Sequence, residues 1–224
     1  MSLRDLFVVV PDLDTENTVI ALLTKRQDAL GISLNFDPQD EVDLLRWAAR
    51  DSGCYRDAVD LLRPKLTTHR HALVIFDRHG CGDDDRPRAE IEQTVENRLQ
   101  QNGWPPENVA VIAIDPEIEA WVWSASPNVA QTLGWQNNDE LKAYLVSKGV
   151  WNPNALKPSD PKEALKLAWR AKKNTNQVGL NAALFAKLAR TVGLKSCQDA
   201  AFQKLRQSLT RWFGVASFDA RATG

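Results

Sequence analysis

Three short runs of uninterrupted apolar, largely β-branched residues constrain this chain more than any other feature. They are Leu6-Phe7-Val8-Val9-Val10, Ala72-Leu73-Val74-Ile75-Phe76 and Val109-Ala110-Val111-Ile112-Ala113-Ile114. None alternates with polar residues, so each reads as a strand buried on both faces, the pattern of an interior strand in a parallel sheet. Helical patterns separate them. Asp14 or Thr15 can cap a helix carrying Val19, Leu22, Leu23 and Leu30, with Gly31 as its stop. A further helix is expected over 54–66, and another opens at Pro87 and runs to about Gln101. Ile32 to Phe36 reads as an additional strand, and 40–50 fits a short strand or a helix equally well. Beyond Asp115 the pattern is helical throughout.

Strands separated by helices predict an α/β fold: a mostly parallel sheet flanked by helices, with right-handed crossovers. The expected organisation is an α/β core over 1–125, a basic helical subdomain over 126–213 and a disordered tail over 214–224. The 224 residues, 43% hydrophobic and 25% charged, suffice for one large domain or a domain with a helical appendage. The first apolar run is too short for a signal segment or a membrane span, so a cytoplasmic protein that enters no membrane is expected. Cys54, Cys81 and Cys197 are odd in number and far apart, and read as free thiols.

Net charge hides an asymmetry. Residues 157–213 carry twelve Lys or Arg against three acids, while the chain as a whole is −1. An acidic body therefore carries a basic helical segment, with Trp169 in Leu167-Ala168-Trp169-Arg170-Ala171-Lys172-Lys173. Two readings stand side by side: a surface for nucleic acid or an acidic partner, or neutralisation of the body by the segment. Asp160-Pro161-Lys162-Glu163 has the order of a helix start with cap, proline and capping box.

In open α/β sheets, ligands bind beyond the carboxyl ends of the strands. Acids collect there: Asp12, Asp14 and Glu16 after the first strand, Asp77 before the Arg78-His79-Gly80-Cys81-Gly82 loop, and Asp115, Glu117 and Glu119 after the last. Hard cations such as Mg²⁺ need oxygen ligands, and strand ends can aim carboxylates into one crevice. Each acid alone reads more simply as a turn former or helix cap; the set together points to a site. On a helix, Glu117 and Glu119 would point about 200° apart, so that only one would face it. His79, two residues beyond Asp77, is positioned to share a metal or a proton, whereas His69 and His71 are expected at the surface. No nucleophile elbow, Walker loop or GxGxxG occurs, which sets aside hydrolase-fold esterases, P-loop NTPases and dinucleotide enzymes.

Four stretches carry a resemblance: Pro11-Asp12-Leu13-Asp14-Thr15-Glu16, Phe76-Asp77-Arg78-His79, Pro116-Glu117-Ile118-Glu119-Ala120-Trp121, and Lys157-Pro158-Ser159 with Cys197 to Leu209. Their order resembles bacterial proteins with a Toprim-like core, the DUF4276 group, and more narrowly an accessory component of the methylation-associated anti-phage defence system. The resemblance implies a Toprim-like sheet and, in Toprim enzymes, Mg²⁺-dependent phosphodiester chemistry using a glutamate after the first strand and an Asp-x-Asp after a later one. This chain departs from both motifs, with Pro11-Asp12 in place of the Glu-Gly and His79 in place of the second aspartate. Glu16, at the helix start, is the residue placed to substitute. The resulting expectation is a Mg²⁺ or Mn²⁺ site of Asp77, Glu117 and Glu119 with Asp12 or Glu16, and His79 as a softer ligand. Asp77, Glu119 and Glu16 would be the catalytic groups of a DNA nuclease. Lys166, Arg170, Lys172 and Lys173 would face DNA or another defence protein. The alternative is a non-catalytic scaffold or sensor subunit whose acids are caps and ion-pair partners, and self-association through the basic segment is a further expectation.

Overall fold

In the computed structural model, residues 2–123, 126–172, 182–194 and 197–215 are described. Four strands form one all-parallel sheet: β1 (Arg4–Val10), β2 (Leu44–Arg46), β3 (His69–Asp77) and β4 (Val109–Ile114), in the order β2-β1-β3-β4. Helices α1 (Leu13–Lys25), α2 (Gln27–Leu30), α3 (Arg50–Leu62) and α4 (Arg88–Gln101) connect the strands. After β4 come α5 (Pro127–Thr132), α6 (Asn138–Ser147), α7 (Pro161–Lys172), α8 (Ala182–Thr191) and α9 (Ala200–Phe213). The fold class expected of the chain is the one observed, an α/β protein with a parallel sheet and helices beyond it.

The apolar runs are strands because both of their faces find partners. Leu6, Val8 and Val10 of β1 point into one core with Leu73, Ile75, Ala110, Ile112 and Ile114. Phe7 and Val9 point into the other with Val74, Phe76, Val111 and residues of α3 and α4. Burying each such large side chain contributes about 1.5–3 kcal/mol. The first core also contains α1 and residues of α5 to α9, so residues on both sides of the expected 125/126 boundary pack into one interior. Trp169 packs against that interior.

One strand expectation needs correction, and of the two readings of 40–50 the short strand is observed. Ile32–Phe36 forms no strand, since its only ladder contact is a single antiparallel bridge from Ile32 to Gly214. The strand beside β1 is instead Leu44–Arg46, in register with Val8 to Val10. The bridge also bears on the tail. Val215 donates to the Gly31 carbonyl and the Ser33 amide donates to Phe213, so 214 and 215 are tied to the turn after α2; 216–224 lie outside the described residues. Gly31 has φ 70°, the left-handed cap that ends α2, as its sequence position implied. The Asp160 carboxylate accepts the Glu163 amide at 2.8 Å, which confirms the cap on α7.

His69 and His71 lie in β3 rather than at the surface. His69 is buried with Nε2 3.1 Å from Asp43, and His71 stacks on Trp212 at 4.7 Å. At the other side of the sheet, β4 is an outer strand whose free amides are taken by α4. Val111 donates to Glu96 and Ala113 to Glu92, each at 3.0 Å, and Lys204 of α9 bridges the two carboxylates at 2.7 and 3.2 Å.

Candidate metal centre

β3 and β4 are in register up to Asp77 opposite Ile114. The chain then stays paired, with the Arg78 amide donating to Ile114 and the His79 amide to Pro116. That continuation holds Asp77 beside the segment after β4. Glu117 is extended (φ −157°, ψ 167°), and a single tight turn over Ile118–Trp121 follows. Extended backbone feeding a tight turn brings both glutamates to the same side, where regular helix would have spread them. The expectation that only one could face the site is corrected. One carboxylate oxygen from each of Asp77, Glu117 and Glu119 lies within 4.8 Å of the others.

Asp77 is 7% and Glu119 3% exposed. Asp77 Oδ1 and Glu119 Oε2 are both buried with no hydrogen-bond partner. Orphan buried carboxylate oxygens are costly, because desolvation is not repaid by any donor. Burial pushes the Asp77 carboxyl well above its usual range, and Asp51, Glu119, Asp12 and Glu117 add to the rise. Burial likewise lifts Glu119 to about 7, with Lys162 opposing and Glu117 reinforcing. Asp14 is pushed up to about 6 by burial and by Asp12.

A lysine answers the two glutamates of this cluster. Lys162, in the first turn of α7, reaches Glu117 at 2.9 Å and Glu119 at 3.7 Å. Burial opposes its charge, but the bond to Glu117 and the field of Glu119 outweigh that and raise its pKa. Six carboxylates act on one another here, opposed by Lys162 and, at Asp51, by Arg50. Oxygens around a hard cation held at about 2.0–2.1 Å lie up to about 4.2 Å apart, a spacing close to the 4.8 Å within which the oxygens of Asp77, Glu117 and Glu119 fall. Carboxylate oxygens are donors that a divalent cation can take.

The other expected residues are distributed as follows. Asp12 caps α1, accepting the Thr15 amide at 2.9 Å, and contributes its field to Asp77 rather than a ligand atom to the trio. Glu16 pairs with Arg46 at 3.0 Å and stands outside the trio. Asp115 is exposed and pairs with Arg78 at 2.9 Å. His79 is exposed and outside the trio too, lining a depression with Glu117, Lys162 and Lys166. Of the basic set, Lys166 faces Glu163 at 3.9 Å, Lys172 pairs with Glu140 at 2.9 Å over the Trp135 ring, and Arg170 is exposed. Lys173 lies outside the described residues. With Lys157 on Asp199 and Lys204 on Glu92 and Glu96, much of the basic segment's charge is spent on pairs within the fold.

Two residues escaped the sequence reading. Asp51, in the first turn of α3, accepts the Asp77 amide at 2.8 Å and so fixes the end of β3. Its signal was the rule already applied elsewhere: it is the acid beyond the carboxyl end of β2. Lys162 had a signal as well, because a cation in a helix's first turn opposes the helix dipole.

No family model, curated protein or solved structure matches this chain. Among the described residues no helix is long and apolar enough to cross a membrane.

Proposed function

We propose that this chain is a divalent-metal-dependent phosphodiesterase acting on DNA, with Mg²⁺ or Mn²⁺ held by Asp77, Glu117 and Glu119. In keeping with its resemblance to Toprim-like proteins, it would serve as a cytoplasmic component of a bacterial anti-phage defence system alongside other defence proteins. The observation that carries the metal reading is the pair of orphan oxygens on Asp77 and Glu119, buried beside a third carboxylate. A bound hard cation supplies a Lewis acid for a phosphoryl oxygen and lowers the pKa of a coordinated water. The chain's own residues do the rest. Asp51 holds the Asp77 backbone, and Lys162 can reach an anionic oxygen brought to the cluster.

A second reading is favoured by Lys162 itself, whose ammonium already sits on two of the three carboxylates. On that reading the centre is a charge cluster joining α7 to the sheet in a scaffold subunit. Titration with Mg²⁺ and Mn²⁺, followed by incubation with supercoiled plasmid, separates the two. Metal-dependent nicking, lost in Asp77→Asn and Glu119→Gln proteins that retain cooperative thermal unfolding, is the expected result. Wild-type protein that binds no metal and leaves plasmid intact would transfer the assignment to the scaffold.

A further inference from the structure

The metal centre lies between two surface depressions along the carboxyl edge of the sheet. One, of about 370 Å³, shares Glu117 and Lys162 with the centre and adds His79 and Lys166. The other, of about 390 Å³, shares Asp12 and Asp14 with the acidic cluster and is walled by Arg46, Trp47 and Arg50 from the segment after β2. Each is large enough for a nucleotide-sized group, ligand sites starting at about 300 Å³.

The Arg46–Arg50 segment is built to hold its position. The Trp47 amide donates to the Val10 carbonyl at 2.8 Å, and its indole N–H donates to Asp57 at 3.0 Å. The same indole covers Gly53 so closely that an added Cβ would stand 2.7 Å from it. At the end of the segment Arg50 has φ 57°, left-handed backbone that disfavours a residue with a Cβ, and its amide donates to the Trp47 carbonyl. Gly or Asn would occupy that conformation without strain. The Arg50 side chain is exposed beside the acidic centre. Arg46 uses Nη1 on Glu16 and keeps 46% of its side chain exposed. Guanidinium forks match phosphate geometry better than any other side chain.

We propose that Arg46 and Arg50 form a phosphate-holding arm for a nucleic-acid strand that runs along the carboxyl edge, from this arm across the metal centre to His79 and Lys166. The inference rests on the phosphodiester reading of the centre. It places the principal backbone contacts on the last residue of β2 and the first of α3 rather than on Arg170 and Lys172 of α7.

Fluorescence anisotropy with short labelled DNA oligonucleotides, single-stranded and duplex, tests it across a salt series in Ca²⁺ buffer. Arg50→Gln is expected to weaken binding about fivefold and to reduce the salt slope by about one, while Arg50→Lys retains the slope. Lys25→Gln, the same charge change at the far end of α1, serves as the control and is expected to match wild type. An Arg50→Gln protein within twofold of wild type, an equal loss in Lys25→Gln, or no binding of either oligonucleotide by wild type would overturn the arm. Protein that binds oligonucleotide through Arg50 yet takes up no Mn²⁺ and cuts nothing would remove the catalytic reading and leave the arm standing.

Discussion

Asp43 and Asp77 are both buried aspartates of the same sheet, one near the amino ends of its strands and one at a carboxyl end. Asp43 is fully buried, yet every lobe of its charge is met: Arg4 donates through Nε and Nη2, the Asp37 amide donates at 2.7 Å, and His69 Nε2 lies at 3.1 Å. Burial pushes its carboxyl up, but those partners outweigh the push and hold it below the usual range. Asp77 is almost as buried and has an oxygen with no donor at all, and its carboxyl is driven the opposite way. The same residue type in similar burial is thus a paired structural ion in one place and an unpartnered carboxyl in the other. What distinguishes them is the partner set, which burial alone does not reveal.

The largest effect that would break this contrast is on stability. Removing the carboxylate in Asp43→Ala strands Arg4 and His69 and is expected to destabilise the fold by about 3–5 kcal/mol in chemical denaturation. Asp77→Asn, measured near pH 7 in EDTA, is expected to raise stability by about 1 kcal/mol, because the fold no longer has to take up a proton on a carboxyl that is ionised when unfolded. Equal losses in both variants would mean that Asp77 is a structural ion as well.

An intermediate effect lies in pH dependence. A carboxyl whose folded pKa is raised stabilises the fold below its unfolded pKa, and that contribution fades as pH rises through the folded value. With Glu119 near 7 when folded and about 4.3 when unfolded, metal-free protein should lose thermal stability between about pH 4.5 and 7. Glu119→Gln should flatten that interval relative to wild type. Asp43 has the opposite sign, its contribution being full above its unfolded pKa and lost as pH falls through the lower folded value, so its signature sits in acid. Thermal melts of wild type and Glu119→Gln in EDTA, compared as a difference, isolate the first interval.

The smallest effect sharpens the role of Lys162. Its ammonium competes with a cation for Glu117 and Glu119, so Lys162→Gln should bind Mn²⁺ about fivefold more tightly by calorimetry, a change of about 1 kcal/mol. Unchanged affinity would place the metal away from these two glutamates.

The sheet was legible where burial on both faces leaves no polar position to confuse the pattern, as in Leu6–Val10, Ala72–Phe76 and Val109–Ile114. It was illegible at the margins. Ile32 and Leu34 are buried while Ser33 and Asn35 are exposed, a strand's period without a neighbouring strand to pair with. Leu44–Arg46 is too short for any period to show. For the site, the placement of acids at the ends of β3 and β4 was readable from topology. The departure from helix at Glu117, which lets both glutamates converge, depends on chain geometry that residue spacing does not encode. Lys162 and Asp51 arrive from α7 and α3, and only tertiary packing shows which of many charges reaches the cluster.

The carboxylates of Glu92 and Glu96 along β4 carry a consequence for assembly. An outer strand with open amides is a template on which another copy, or an extended peptide, can add itself. Here the Val111 and Ala113 donors are already satisfied by α4, and Lys204 pins α9 across the same margin. Sheet growth is blocked at that side, so a second copy or an extended peptide that joins this sheet by main-chain pairing has to do so at the opposite edge, along β2.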